Sequence, residues 1–176
     1  MLRTPTGQPN EKDLLLFNIE HARQNTLQII EEIRKEYGLG EDVLAWKPAE
    51  GAHTIGWLLG HIGANEWMMT NRMHKLVKKP PVGGDEMWNK FVYGTMPPDS
   101  YPPVDEILQG MAEVRTHLKD VLRSASYAIL DTVLVPEVKE VNWTVRCTLL
   151  RLPMHEQFHA GEIRYIQKYL LPGNMS

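Results

Sequence analysis

Cysteine is nearly missing: Cys147 is the only one in 176 residues. One thiol cannot close an intrachain disulfide, so the fold must rest on a packed core, and the composition suits a reducing cytoplasm. Long apolar runs are missing as well. None approaches the ~18 residues that a membrane span needs, and the opening MLRTPTGQPNEK carries no apolar stretch of the kind found in secretory signals. Charge of one sign is not in excess. The net charge is −3, with the basic residues scattered apart from Lys78-Lys79, so no global field favours nucleic acid or an anionic membrane. Gly83-Gly84 and Gly94 form no phosphate loop, and no nucleophilic serine or cysteine motif is present. Cys147 itself is expected to be a small core residue. What is there, 43% hydrophobic residues, suffices for one cytoplasmic domain over residues 1–176 with one core.

Four segments repeat apolar residues at three and four. The first helix is predicted from Asn10, a suitable N-cap ahead of Glu11 and Asp13, to Tyr37, with Leu15, Ile19, Ala22, Ile29, Ile30, Ile33 and Tyr37 on its inner face and Gly38 and Gly40 as the stop. The segment EDVLAWKPAEGAH reads as a loop. The second helix is expected from His53-Thr54 to Leu76, with Ile55, Leu58, Leu59, Ile62, Met69, Met73 and Leu76 inward, and Pro80-Pro81 ends it. The third spans Val104–Ser124. The fourth spans Asn142–Leu170, with Asn142 or Thr144 as its cap. Between the second and third helices lies a long Pro- and Gly-rich connection carrying Met87, Trp88, Phe91 and Tyr93. Such a loop covers a site or plugs one end of a bundle. The β-branched stretch 127–141 suggests a small hairpin. With no convincing run of strands, an all-α four-helix bundle is the economical architecture.

The chemical signal lies in the histidines. In His155-Glu-Gln-Phe-His159 the i,i+4 spacing sets both imidazoles on one helix face, shared with Thr148, Leu152, Glu162, Ile163 and Ile166. A solvated pair is the competing interpretation, and the apolar stripe argues against it. His61, in Trp57-Leu-Leu-Gly-His61-Ile, points into apolar surroundings, where an unpaired imidazole is costly. Facing the pair across the bundle, it would complete a three-histidine site for a divalent ion, zinc or nickel, with open positions. Gly60 and Gly161 would leave room beside it. His21, His74 and His117 are expected at the surface or boundary; His53, at the start of the second helix, is a candidate to cap it or line the pocket, with a local loop contact the simpler expectation. Helical phase places Glu162 nearer the ion than Glu156. Both, with Asn65, are candidates to orient an imidazole or relay a proton, and Tyr93 and Trp88 are candidates to line the pocket.

Two other motifs share these residues. His155-Glu156-x-x-His159 matches the zinc-protease pattern, but the downstream ligand and the strand that would hold a peptide are not evident. Glu156-x-x-His159 also fits a di-iron element, yet its second copy, Glu50-x-x-His53, falls beside Pro48 and Gly51.

Two segments in this order resemble the DinB-like family (DinB/YfiT-like metalloenzymes): Leu44-Ala-Trp46-Lys-Pro48 followed by His53-Thr-Ile-Gly-Trp-Leu-Leu-Gly-His61-Ile, and Met154-His155-Glu-Gln-Phe-His159-Ala-Gly161-Glu162-Ile163. The resemblance covers nearly the whole chain. It implies a four-helix bundle, a metal site at His61, His155 and His159, and a homodimer. It further implies a small-molecule enzyme, either a transferase using a low-molecular-weight thiol or a hydrolase. A non-catalytic metal-binding or helical interaction protein is the alternative, favoured if a fourth protein ligand closes the shell. Pro153 departs from the pattern and is expected to kink the last helix just before His155.

Overall fold

The computed structural model describes residues 9–95, 97–134 and 143–170. Four long helices make up the bundle: α1 (Glu11–Tyr37), α3 (Ile55–Leu76), α5 (Val104–Ser124) and α6 (Val145–Tyr165). Two short ones, α2 (Glu41–Ala45) and α4 (Asp85–Trp88), lie in the connections. Around the bundle α1 packs on α6, α6 on α3, α3 on α5, and α5 returns to α1.

The helices start where side chains can satisfy their free backbone amides. Asn10 accepts from the Asp13 amide at 3.1 Å, Thr54 from that of Trp57 at 3.1 Å and Thr144 from that of Cys147 at 3.2 Å. Each such cap stabilises its helix by about 1 kcal/mol. Thr144 is therefore the cap of the last helix, and Asn142 lies outside the described residues. α1 stops at Gly38, whose φ of +78° is open to glycine at no steric cost and whose amide returns to the Arg34 carbonyl.

The expected inner faces are the buried ones, with two shifts. Tyr37 is only partly buried, and Leu76, at the end of α3, is 38% exposed. The EDVLA segment, read as loop, forms α2, and Val43 and Leu44 enter the core from it. Five residues are too short for periodicity to register. The long connection packs inward at Trp88 and Phe91, which are 1% and 0% exposed. A Cβ at Gly60 would overlap the Phe91 ring, and one at Gly63 the Trp88 ring, so α3 makes room for both aromatics with glycines. Trp88 is thus a plug and not a pocket wall. In the 127–141 stretch, Tyr127–Asp131 is a 3₁₀ turn and Val133 forms an antiparallel bridge with Thr144. The rest of the suggested hairpin lies outside the described residues. Among the described residues, no helix is long and apolar enough to cross a membrane.

Cys147 is exposed, contrary to the expectation of a core residue. It follows Thr144 on the first turn of α6, on the side turned away from Val145, Thr148 and Leu149. His74 corrects a second expectation. It is buried at 5% exposure, its Nδ1–H donates to the Pro80 carbonyl at 2.6 Å, and its ring lies 5.5 Å from that of His117.

Candidate metal centre

α3 and α6 bring three imidazoles to one point. The ring centroids of His61, His155 and His159 lie 5.1, 5.0 and 4.5 Å apart pairwise, and one nitrogen from each falls within 4.8 Å of the others. His61 and His159 are 6% and 8% exposed, and His155 is partly buried. α6 runs as one α-helix through Pro153, with the two histidines directly after it.

The outer hydrogen bonds settle which nitrogen faces inward. Phe91 offers a carbonyl oxygen 2.7 Å from His61 Nδ1, so that nitrogen must carry the proton and donate. The carboxylate of Glu162 lies 2.6 Å from His159 Nδ1, which donates likewise. An imidazole that donates from Nδ1 and carries no second proton presents its Nε2 lone pair on the opposite side. His159 Nε2 and His155 Nε2 stand 3.2 Å apart. Two nitrogens on a tetrahedral ion at ~2.0–2.1 Å would stand about 3.3 Å apart. The donor set therefore fits a divalent ion that accepts imidazole nitrogen, and bonds from the far nitrogen to a carbonyl and a carboxylate are the usual outer support of such ligands.

The electrostatics favour unprotonated ligands. Burial lowers the pKa of His61, against the pull of the Phe91 carbonyl. Burial, reinforced by His159, His61 and Arg151, pushes His155 from 6.5 down to about 3. Since the unfolded chain titrates at the higher value, the folded state binds fewer protons between the two. Metal-free protein is expected to lose stability as pH falls below 6.5 towards 3. Urea midpoints of wild type and His155→Gln, compared between about pH 7 and pH 5, should show a shallower loss in the variant. Parallel curves would mean that His155 is not held neutral.

The glutamates separate. Glu162 orients His159. Glu156, one residue from His155, faces the other way and is 4% exposed. Its carboxylate accepts from Arg23 Nε at 2.7 Å and from Arg115 at 3.3 Å, while Glu66 accepts from Arg23 at 2.7 Å and from Arg115 at 2.8 Å. Each of the four long helices contributes one charge to this buried cluster, and Glu20 of α1 lies 4.0 Å from Arg115 at its edge. Glu156 is thus placed to hold the bundle together and not to support the histidines, which also removes the general base that a zinc-protease reading requires. Glu162→Ala is expected to weaken metal affinity about 10–100-fold, measured by competition with a chromophoric chelator, whereas an unchanged affinity would leave Glu162 without that role.

Other side chains complete the surroundings. Asn65 faces His155, 3.1–3.2 Å from its two ring nitrogens. His53, expected in a local loop contact, stacks on Trp57 at 4.2 Å, and Trp57 stacks on His61 at 4.6 Å. The i,i+4 spacing of the three rings was the signal for that stack. A cavity of about 740 Å³ opens onto the histidines, walled by His53, Trp57, Tyr93, Arg151 and Phe158. Of the two loop aromatics expected to line the pocket, Tyr93 does so. Gly161 borders a separate recess and not the ion site. A larger groove, about 970 Å³, lies between α1 and α6 away from the histidines.

A family model for the DinB superfamily matches residues 18–163, which include all three histidines and both glutamates. No curated protein matches the chain.

Proposed function

We propose that this chain, which belongs to the DinB superfamily, is a metal-dependent enzyme acting on a small molecule, as a thiol-dependent S-transferase or a hydrolase. One observation carries this reading. The outer nitrogens of His61 and His159 are pinned by Phe91 and Glu162, so the inner nitrogens converge beneath an open cavity. Zinc or nickel suits three neutral imidazoles. Such an ion supplies Lewis-acid chemistry, drawing down the pKa of a thiol or a water placed on it.

The chain's own residues do the rest. Glu162 holds His159 Nδ1 with its carboxylate, so it fixes the ring by accepting its hydrogen bond instead of filling the shell. Among the described residues the cluster contains three histidines and no fourth ligand, which favours an enzyme over a closed structural site. Trp57 and Phe158 give the cavity apolar walls. Tyr93, 92% exposed at its rim, can contact an incoming substrate.

In the same proposal the whole chain acts as one cytoplasmic domain, where an exposed Cys147 stays reduced. It pairs into a homodimer through the apolar side chains exposed on α1 and α6, among them Phe17, Leu150 and Met154. Its substrate is a small molecule, not nucleic acid.

The test is a titration of cobalt-substituted protein with a small thiol such as 2-mercaptoethanol. A sulfur-to-metal charge-transfer band that grows with thiol supports the transferase. An unchanged spectrum at saturating thiol, in wild type and Glu162→Gln alike, removes the transferase and leaves the hydrolase or the non-catalytic metal-binding reading.

A further inference from the structure

Beside the ion site the structure holds a second, smaller recess of about 290 Å³ between α3 and α6. Its polar wall is Asn65, Thr148, Arg151 and the outer flank of His155, and its apolar wall is Met69, Leu152 and Trp143. Resting on the metal-centre reading above, we propose that this recess takes the acid group of the substrate, which is a compact organic carboxylate with an apolar body.

Arg151 stands one helical turn before His155, so its guanidinium flanks the ligand. It borders the 740 Å³ cavity, the 290 Å³ recess and a narrow 170 Å³ passage that runs past His61, Asn65 and Tyr93, and His155 borders all three. One cation therefore overlooks every approach to the ion from this side. No carboxylate among the described residues pairs with it. Its contact is the Trp143 ring, over which the guanidinium lies at 4.8 Å. That contact braces the side chain while leaving its N–H donors free in the plane.

Thr148 supplies the second, independent observation. It is 4% exposed, and its hydroxyl has no hydrogen-bond partner among the described residues. Thr26, Thr70 and Thr116, also inside helices, each donate to the carbonyl four residues back. Thr148 does not, and a buried hydroxyl left without a partner is destabilising. A ligand oxygen in the recess would satisfy it. A guanidinium, a hydroxyl and an amide around one small space match an oxyanion, and a guanidinium fork can bind a carboxylate or a phosphate through two parallel hydrogen bonds. Met69, Leu152 and Trp143 line the rest of the recess and provide no partner for the further charged oxygens of a phosphate, which favours a carboxylate. With the acid group there, the body of the ligand extends past His155 into the larger cavity, and its reacting centre faces the histidines.

The experiment is calorimetric titration of zinc-loaded protein with benzoate, benzamide and inorganic phosphate, repeated on Arg151→Gln and Thr148→Val and on metal-free wild type. Benzoate is expected to bind wild type at least tenfold more tightly than benzamide. Arg151→Gln should weaken benzoate about 10–100-fold, the range for hydrogen bonds to a charged group, with zinc content unchanged. Thr148→Val should weaken it several-fold. Equal benzoate affinity in wild type and Arg151→Gln, both with full zinc, would overturn the assignment, as would tighter binding of phosphate than of benzoate. No detectable benzoate binding to the wild type would overturn it too. Failure of the metal reading looks different: zinc does not load, while metal-free wild type still binds benzoate in an Arg151-dependent manner, and in that case the acid subsite stands alone.

Discussion

Glu66→Gln is expected to destabilise the protein by about 3–5 kcal/mol, the cost of removing one partner from a buried ion cluster. Glu66 is 3% exposed and receives hydrogen bonds from Arg23 and Arg115, which are 6% and 5% exposed. With the charge removed, two guanidiniums share the buried carboxylate of Glu156, with the partly exposed Glu20 4.0 Å from Arg115. Neither arginine can deprotonate to relieve the excess. The loss should appear as a lower urea midpoint with an unchanged slope. A change within about 0.5 kcal/mol, the usual range for surface positions, would show that the cluster is hydrated in solution. The sign with pH is also fixed. Burial alone would raise the Glu66 carboxyl, but Arg23 and Arg115 hold it below 4.5. Its contribution is thus fully present above 4.5 and is lost as pH falls through the lower folded value, a window below the one in which His155 begins to act. Simultaneous replacement of all four charges by apolar residues of similar volume should be far less damaging than Glu66→Gln, because no charge is then left unpaired.

His155→Ala and His159→Ala should each abolish metal binding at stoichiometric metal, and His74→Ala should leave it intact. Losing a direct ligand must cost more than the roughly 10–100-fold that follows loss of an outer partner, because two imidazoles remain and the shell opens to water. His74 is the right control. It too is buried, but its ring pairs with the Pro80 carbonyl and neighbours His117, apart from the cluster. The control therefore removes a buried histidine without touching the site. Elemental analysis after gel filtration reads the result, and equal metal content in all three variants would mean that the ion binds elsewhere.

Much of this was legible in the sequence because it rests on periodicity. The apolar stripes placed the long helices to within a few residues. The spacing of His155 and His159 put them on one face, and the apolar phase of His61 turned it inward. Pairing across the bundle was not legible. Arg23, Glu66, Arg115 and Glu156 each sit within an apolar stripe, as Arg23 does between Ile19 and Thr26, and a charge in that phase is the trace that such a cluster leaves. Which charges meet depends on the relative height of four helices, and no single stripe encodes that. Glu156 illustrates the point: its proximity to His155 suggested the ion site, whereas at its own angle on α6 it meets Arg23. The Phe91 carbonyl was equally hidden, since a backbone group carries no residue-type signal. Its visible trace was Gly60, the small residue beside His61, which admits the Phe91 ring.

The most direct test is X-ray absorption at the zinc edge on protein purified without a metal-affinity tag and equilibrated with one equivalent of zinc. One tightly held ion per chain, with three imidazole nitrogens at about 2.0–2.1 Å and a further light ligand that exchanges with added anion, is the expected result. A chain that retains no zinc after gel filtration, or an ion whose spectrum is unchanged in His61→Ala, would contradict it.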